Sequence, residues 1–182
     1  MFQGMKKNLL LLTLTLFVAL VCFGPMAQAQ GQSAQAQDRR TKVIVDNDLC
    51  GDADGLFALA HQLLCKSINV RGIVGAHLSS RGGFTNATNT AQASVERAEE
   101  VLECLGMTGQ VRVVAGATEK MTSPTQPKES EGARLIIEEA QQCTPERPLY
   151  VLMGGPLTDV ASALLINPAI AKLTPWIIEA FA

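Results

Sequence analysis

Val43 to Ala60 reads VIVDNDLCGDADGLFALA, and the organisation of the chain can be built outward from it. Its β-branched opening makes Lys42 to Asp46 a strand. From Asp54 to Cys65 the period changes, with Leu56, Leu59, Leu63 and Leu64 on one side of a helix. Between them lie Asp46, Asp48, Asp52 and Asp54, four carboxylates within nine residues. A strand running through a short loop into a helix is half of a crossover unit, and the sequence repeats it. Strands are predicted at Asn69 to Ala76, Val111 to Ala115 and Leu149 to Met153. Helices follow at Thr90 to Leu105, Glu131 to Gln142 and Asp159 to Ile166. Trp176 through Phe181 begins a further strand. This alternation predicts an α/β fold, a mostly parallel sheet with helices on both faces and a Rossmann-like core.

Composition narrows the class of partner. The 182 residues carry 15 Lys+Arg against 17 Asp+Glu, a net charge of -2, and only 4% aromatic side chains. Nothing there offers a basic surface for nucleic acid or an aromatic platform for bases. The 47% hydrophobic content is raised by the first residues. Lys6 and Lys7 precede an apolar run from Leu9 to Phe23, followed by the small-residue site Ala27-Gln28-Ala29. Fifteen apolar residues fall short of the about 20 that cross a bilayer. Residues 1–29 therefore read as a signal peptide, residues 30–41 as a flexible polar leader and 42–182 as the folded domain, with export expected. An uncleaved anchor helix is the other reading. Cys22 follows Val21, where a lipid-attachment site would want a small residue, so no stable membrane anchor is expected. Removing two lysines and no acids leaves 13 basic against 17 acidic side chains. Cys50, Cys65, Cys104 and Cys143 remain; their spacing fits no zinc motif, and Cys65 and Cys104 read as buried helix thiols.

In a parallel sheet the ligand site lies beyond the carboxyl ends of the strands, where the acidic loop falls. Four carboxylates repel one another unless a cation relieves them, and a helix N-terminus satisfies only one. Clustered carboxylate and carbonyl oxygens suit a hard divalent cation, Ca²⁺ or Mg²⁺. The alternative is one helix cap with solvated turn acids. The spacing does not fit an EF-hand loop.

VIVDNDLCGDADGLFALA resembles the N-terminal motif of the inosine-uridine preferring nucleoside hydrolase family, in which a strand runs into Asp-Thr-Asp and an Asp pair opens a helix. The likeness continues through RGIVGA and VVAGA, and again at LYVLMGGPLTDVASALLINPAIA, similar to that family's Gly-Pro-Leu-Thr-Asn segment. It covers about Lys42 to Lys172. It implies hydrolysis of the N-glycosidic bond of a small-molecule ribonucleoside by a Ca²⁺-bound water. Carried over by position, Asp48 becomes the metal-bound base and Asp46 the supporting acid. Asp54 matches the first member of the pair, in contact with ribose, and the carbonyl ligand falls at or next to Gly154. The metal set expected is thus Asp46, Asp48, Asp52 and Gly154, with Asp48 and Asp54 catalytic and Asp54 and His77 touching substrate.

Three departures follow. Gly55 replaces the second Asp of the pair, leaving Asp52 as its substitute. His77-Leu78-Ser79 stands where the family has Gly-Asn. The family's later segments, with a further Asp ligand beside a His, have no counterpart, so the expectation is the N-terminal portion of a larger domain, with self-association into a homo-oligomer left open. Two other readings stand beside this one. One is a nucleoside- or sugar-binding relic without turnover. The other is a haloacid-dehalogenase-type phosphatase, whose loop usually has Thr or Val where this chain has Cys50. His61, the sequon Asn86-Ala87-Thr88 and the helix glutamates Glu96, Glu99, Glu100 and Glu103 read as ordinary surface features.

Overall fold

A computed structural model of the chain describes residues 38–79, 83–174 and 176–178. The expected signal peptide, residues 1–29, and most of the leader lie outside them. Among the described residues no helix is long and apolar enough to cross a membrane.

The elements alternate as expected: β1 Thr41–Asn47, α1 Ala53–Leu64, β2 Ile68–Gly75, α2 Thr90–Cys104, β3 Val113–Ala115, α3 Glu131–Ala140, β4 Leu149–Met153, α4 Thr158–Ile166, a 3-10 turn Pro168–Lys172, and β5 Trp176–Ile178. The five strands form one sheet in the order β3-β2-β1-β4-β5. Every pairing is parallel. β1 begins at Thr41, just inside the expected leader, where the Thr41 N–H donates to the Ser67 carbonyl at 3.0 Å. β3 is shorter than Val111 to Ala115, because the chain turns at Met107–Gln110 and enters the ladder only when Ile73 N–H reaches the Arg112 carbonyl.

Successive strand residues face opposite sides of the sheet, and two cores result. Ile44, Val74, Leu149 and Val151 pack with Leu135 and Ile136 of α3 and Val160 and Ala163 of α4. Val43, Val45 and Ile73 pack on the other face with Leu59 of α1 and Ala98 and Leu102 of α2. Polar side chains fix the helix starts. Asp52 caps α1 by accepting from Gly55 N–H at 3.4 Å, Asn89 caps α2 from Gln92 N–H at 3.1 Å, and Ser130 caps α3 from Ala133 N–H at 2.9 Å. Each such cap contributes about 1 kcal/mol.

The thiols need correction. Cys104 is exposed and Cys65 only half-buried, whereas Cys50 and Cys143 are buried; all four are free. Cys104 lies two residues beyond Leu102, about 200° around the helix from the buried face. Cys65 is the residue that ends α1, three positions before the chain enters β2.

Candidate active site

The strand order turns back between β1 and β4: β2 and β3 lie to one side, β4 and β5 to the other. A crevice opens beyond the carboxyl ends of the strands at such a reversal. Asp46 pairs with Met153 in the register, and Gly154 N–H donates to the Asp46 carbonyl at 3.0 Å. Asp46-Asn47-Asp48 and Gly154-Gly155 therefore meet at the carboxyl end of the sheet, at that reversal. The approach is close: a Cβ on Gly155 would come within 3.2 Å of the Asp48 carboxyl carbon.

Asp46 is 1% exposed, and neither carboxyl oxygen has a hydrogen-bond partner. Burial, then the neighbouring Asp159 and Asp48 carboxylates, push its pKa well above the ordinary range. Asp48 is half-buried. Burial is the main cause that raises its carboxyl from 3.8 to about 6, with Asp52 and Asp54 adding to the rise and its own backbone hydrogen bond and His77 opposing it. An orphaned buried carboxyl beside a second acid fits a hard divalent cation, which takes carboxylate and carbonyl oxygens. Among the described residues, however, no three His, Cys, Asp or Glu side chains gather into a metal-ligand group. From the described residues, further ligands would be carbonyl or amide oxygens, with water beside them.

The other expected residues occupy distinct places. Asp52 is exposed at the start of α1, spent on the cap, and hydrogen-bonded to Asp54; this raises the Asp52 carboxyl and lowers that of Asp54. Asp54 is exposed in the first turn. His77 is buried beyond β2. In the neutral ring, Nδ1 carries the hydrogen and donates to the Leu78 carbonyl at 2.8 Å, so Nε2 accepts from the Thr158 hydroxyl at 3.0 Å. That bond ties the end of β2 to the start of α4. Cys50, inside the acidic loop, is held by Ser94: its N–H donates to Ser94 Oγ at 3.3 Å, while Ser94 donates to the Ala76 carbonyl at 3.0 Å.

Two buried residues were not anticipated. Asn47, 4% exposed, lies between Gly55 and Gly154, whose hydrogen side chains make room for its amide. Asp159, fully buried, accepts from Ala117 N–H at 2.9 Å and from the Ser130 hydroxyl, with Gly116 and Gly132 packed against its carboxylate. The sequence signal for Asp159 was its place directly after Gly-Pro-Leu-Thr.

This architecture has counterparts among solved structures. A plant nucleoside hydrolase superposes with a TM-score of 0.57 at 17% identity, over 76% of this chain and 47% of that one. A purine-preferring ribonucleoside hydrolase from Gardnerella vaginalis gives 0.58 at 19%, over 78% and 49%. An inosine-guanosine nucleoside hydrolase gives 0.56 at 19%, over 76% and 47%. The chain has the nucleoside hydrolase fold. It spans about half the length of these structures. No family model matches the sequence, and no curated protein does.

Proposed function

We propose that this chain hydrolyses the N-glycosidic bond of ribonucleosides to ribose and free base, with Asp48 as general base and Ca²⁺ as cofactor. The observation that carries the reading is the Asp46–Asp48 pair at the β1–β4 reversal, packed against Gly154-Gly155 in a nucleoside hydrolase fold. Asp46, Asp48 and the Gly154 carbonyl would hold the ion. Bound there, Ca²⁺ supplies positive charge that makes a water easier to deprotonate and holds sugar hydroxyls.

The side chains do the rest. Asp48, half-buried and packed against Gly155 at the reversal, would take the proton from that water. Asp46, buried behind it with its carboxyl held well above the ordinary range, would ionise as a ligand only with the cation beside it. Asp54, exposed in the first turn of α1, would meet ribose by giving up its hydrogen bond to Asp52, and His77 braces the β2 loop through Thr158. The Lys6-Lys7 start, the apolar run and Ala27-Gln28-Ala29 support export.

A binding protein without turnover is the second reading, resting on Gly55, where the resemblance expects a ligand acid. The phosphatase reading requires Asp46 to attack a substrate, and at 1% exposure it is not placed to do so. Incubation with inosine and uridine, with Ca²⁺ or with chelator, tests the proposal. Calcium-dependent release of base supports it. Binding without release supports the second reading, and phosphate release from a phosphomonoester the third.

A further inference from the structure

Two hydroxyls of α2 bridge the loops that follow β1 and β2. Thr90 opens the helix and Ser94 comes four residues later, so both lie on one face. Ser94, fully buried, accepts from Cys50 N–H at 3.3 Å and donates to the Ala76 carbonyl at 3.0 Å. The Thr90 hydroxyl accepts from Leu78 N–H at 3.0 Å, and its carbonyl accepts from the Cys50 thiol at 3.3 Å. The helix comes this close because β2 ends on Gly75. A Cβ there would stand 2.7 Å from the Val95 nitrogen and 2.8 Å from the Ala91 carbonyl oxygen.

Cys50 belongs to a turn that begins at Asp48. Gly51 N–H donates to the Asp48 carbonyl at 2.8 Å and closes Asp48-Leu49-Cys50-Gly51 as a β-turn. Leu49 is buried in the core, and the Cys50 carbonyl accepts from Phe84 N–H at 3.1 Å. The turn is thus held from outside the acidic loop, and Ser94 ties it to Ala76, the residue before His77.

We propose that Ser94 is a positioning residue for the Asp48 base. This rests on the function proposed above. Without its hydroxyl, the buried Cys50 N–H and Ala76 carbonyl lose a partner that no water replaces unless the turn moves. Asp48 is the first residue of that turn and moves with it. A shift of about 1 Å at a reacting group costs on the order of 100-fold in rate, while contacts made equally in the ground state persist. The loss therefore falls on kcat and spares KM.

The test compares the full wild-type chain with Ser94→Ala, Ser94→Cys and a control, Thr174→Val. Thr174 is also fully buried and donates to the Ile170 carbonyl at 2.8 Å, next to Leu173, whose carbonyl accepts from the first residue of β4 at the opposite end of the sheet. Two quantities are read: exchange of the Cys50 amide hydrogen by NMR, and kcat and KM for base release from inosine at saturating Ca²⁺. In Ser94→Ala, Cys50 N–H exchanges about 10-fold faster. Its kcat falls about 10- to 100-fold with KM within about twofold. Thr174→Val loses stability and changes neither quantity. If Ser94→Ala fails to fold, Ser94→Cys, with its weaker hydrogen bonds, decides: wild-type exchange and kcat overturn the assignment. A folded Ser94→Ala with wild-type kcat, a loss confined to KM, or an equal loss in Thr174→Val overturns it too, leaving the proposed function standing. A wild-type chain that releases no base instead overturns the reading on which it rests.

Discussion

Replacing Asp48 by Asn should stabilise the ion-free protein at neutral pH while abolishing the proposed hydrolysis. Asp48 sits half-buried, with its carboxyl raised from 3.8 to about 6, chiefly by burial. A carboxyl whose native pKa lies above its unfolded value contributes stability that is fully present below the unfolded value. That stability fades as pH rises through the native value. The window here runs from 3.8 to about 6. Above it, forcing the folded protein to carry the charge costs at most about 3 kcal/mol, at 1.36 kcal/mol per pH unit. Solvent reaches the group, and screening reduces this to ~1–2 kcal/mol. An asparagine never pays that cost. In chelator at pH 7.5, Asp48→Asn should therefore melt roughly 3–8 °C above wild type, and the gain should shrink to a few tenths of a kcal/mol, by the same linkage, at about pH 4. Scanning fluorimetry of both proteins across this range gives the answer. A variant less stable at pH 7.5, or a gain of equal size at both pH values, would refute the assignment of strain to the Asp48 charge.

Other substitutions probe the frame around the site. Ser130→Ala removes the α3 cap and a donor to the buried Asp159 carboxylate, and should cost about 2–3 kcal/mol in urea unfolding. Gly116→Ala sets a methyl group against the same carboxylate and should cost about 1–3 kcal/mol by the same measurement. In a chain begun at Gln30, a thiol reagent should modify Cys65 and Cys104 rapidly and reach Cys50 and Cys143 only after unfolding. The Ser67 hydrogen bond lowers the Cys65 thiol, so its reaction should persist furthest toward low pH.

The strand order was the part of the fold least legible in sequence, and it is what creates the site. Periodicity within Val43 to Ala60 discloses a strand, a loop and a helix, because each is set by neighbours along the chain. The acidic loop was likewise visible, since four carboxylates in one short loop need an explanation. That β4 lies directly beside β1, so that Gly155 faces Asp48, depends on pairing residues about a hundred positions apart. Asn47 was overlooked for this reason. Between two aspartates it looks like a polar spacer, and its meaning comes from Gly55 and Gly154 closing on it. Asp159 was read as a helix start, because only the fold brings Ala117 and Ser130 to its carboxylate. Cys104 was misplaced because a thiol near a helix end carries too little hydrophobicity to reveal which face it takes.

Asp46 and Asp48 are proposed as a cation-dependent centre for breaking a ribonucleoside. The most direct measurement is release of free base from inosine and uridine by the wild-type chain, with Ca²⁺ and with excess chelator, alongside Asp48→Asn. Release should require Ca²⁺, stop in chelator and be absent from the variant. Release that continues unchanged in chelator or in Asp48→Asn would contradict it, as would nucleoside binding with no release at any Ca²⁺ concentration.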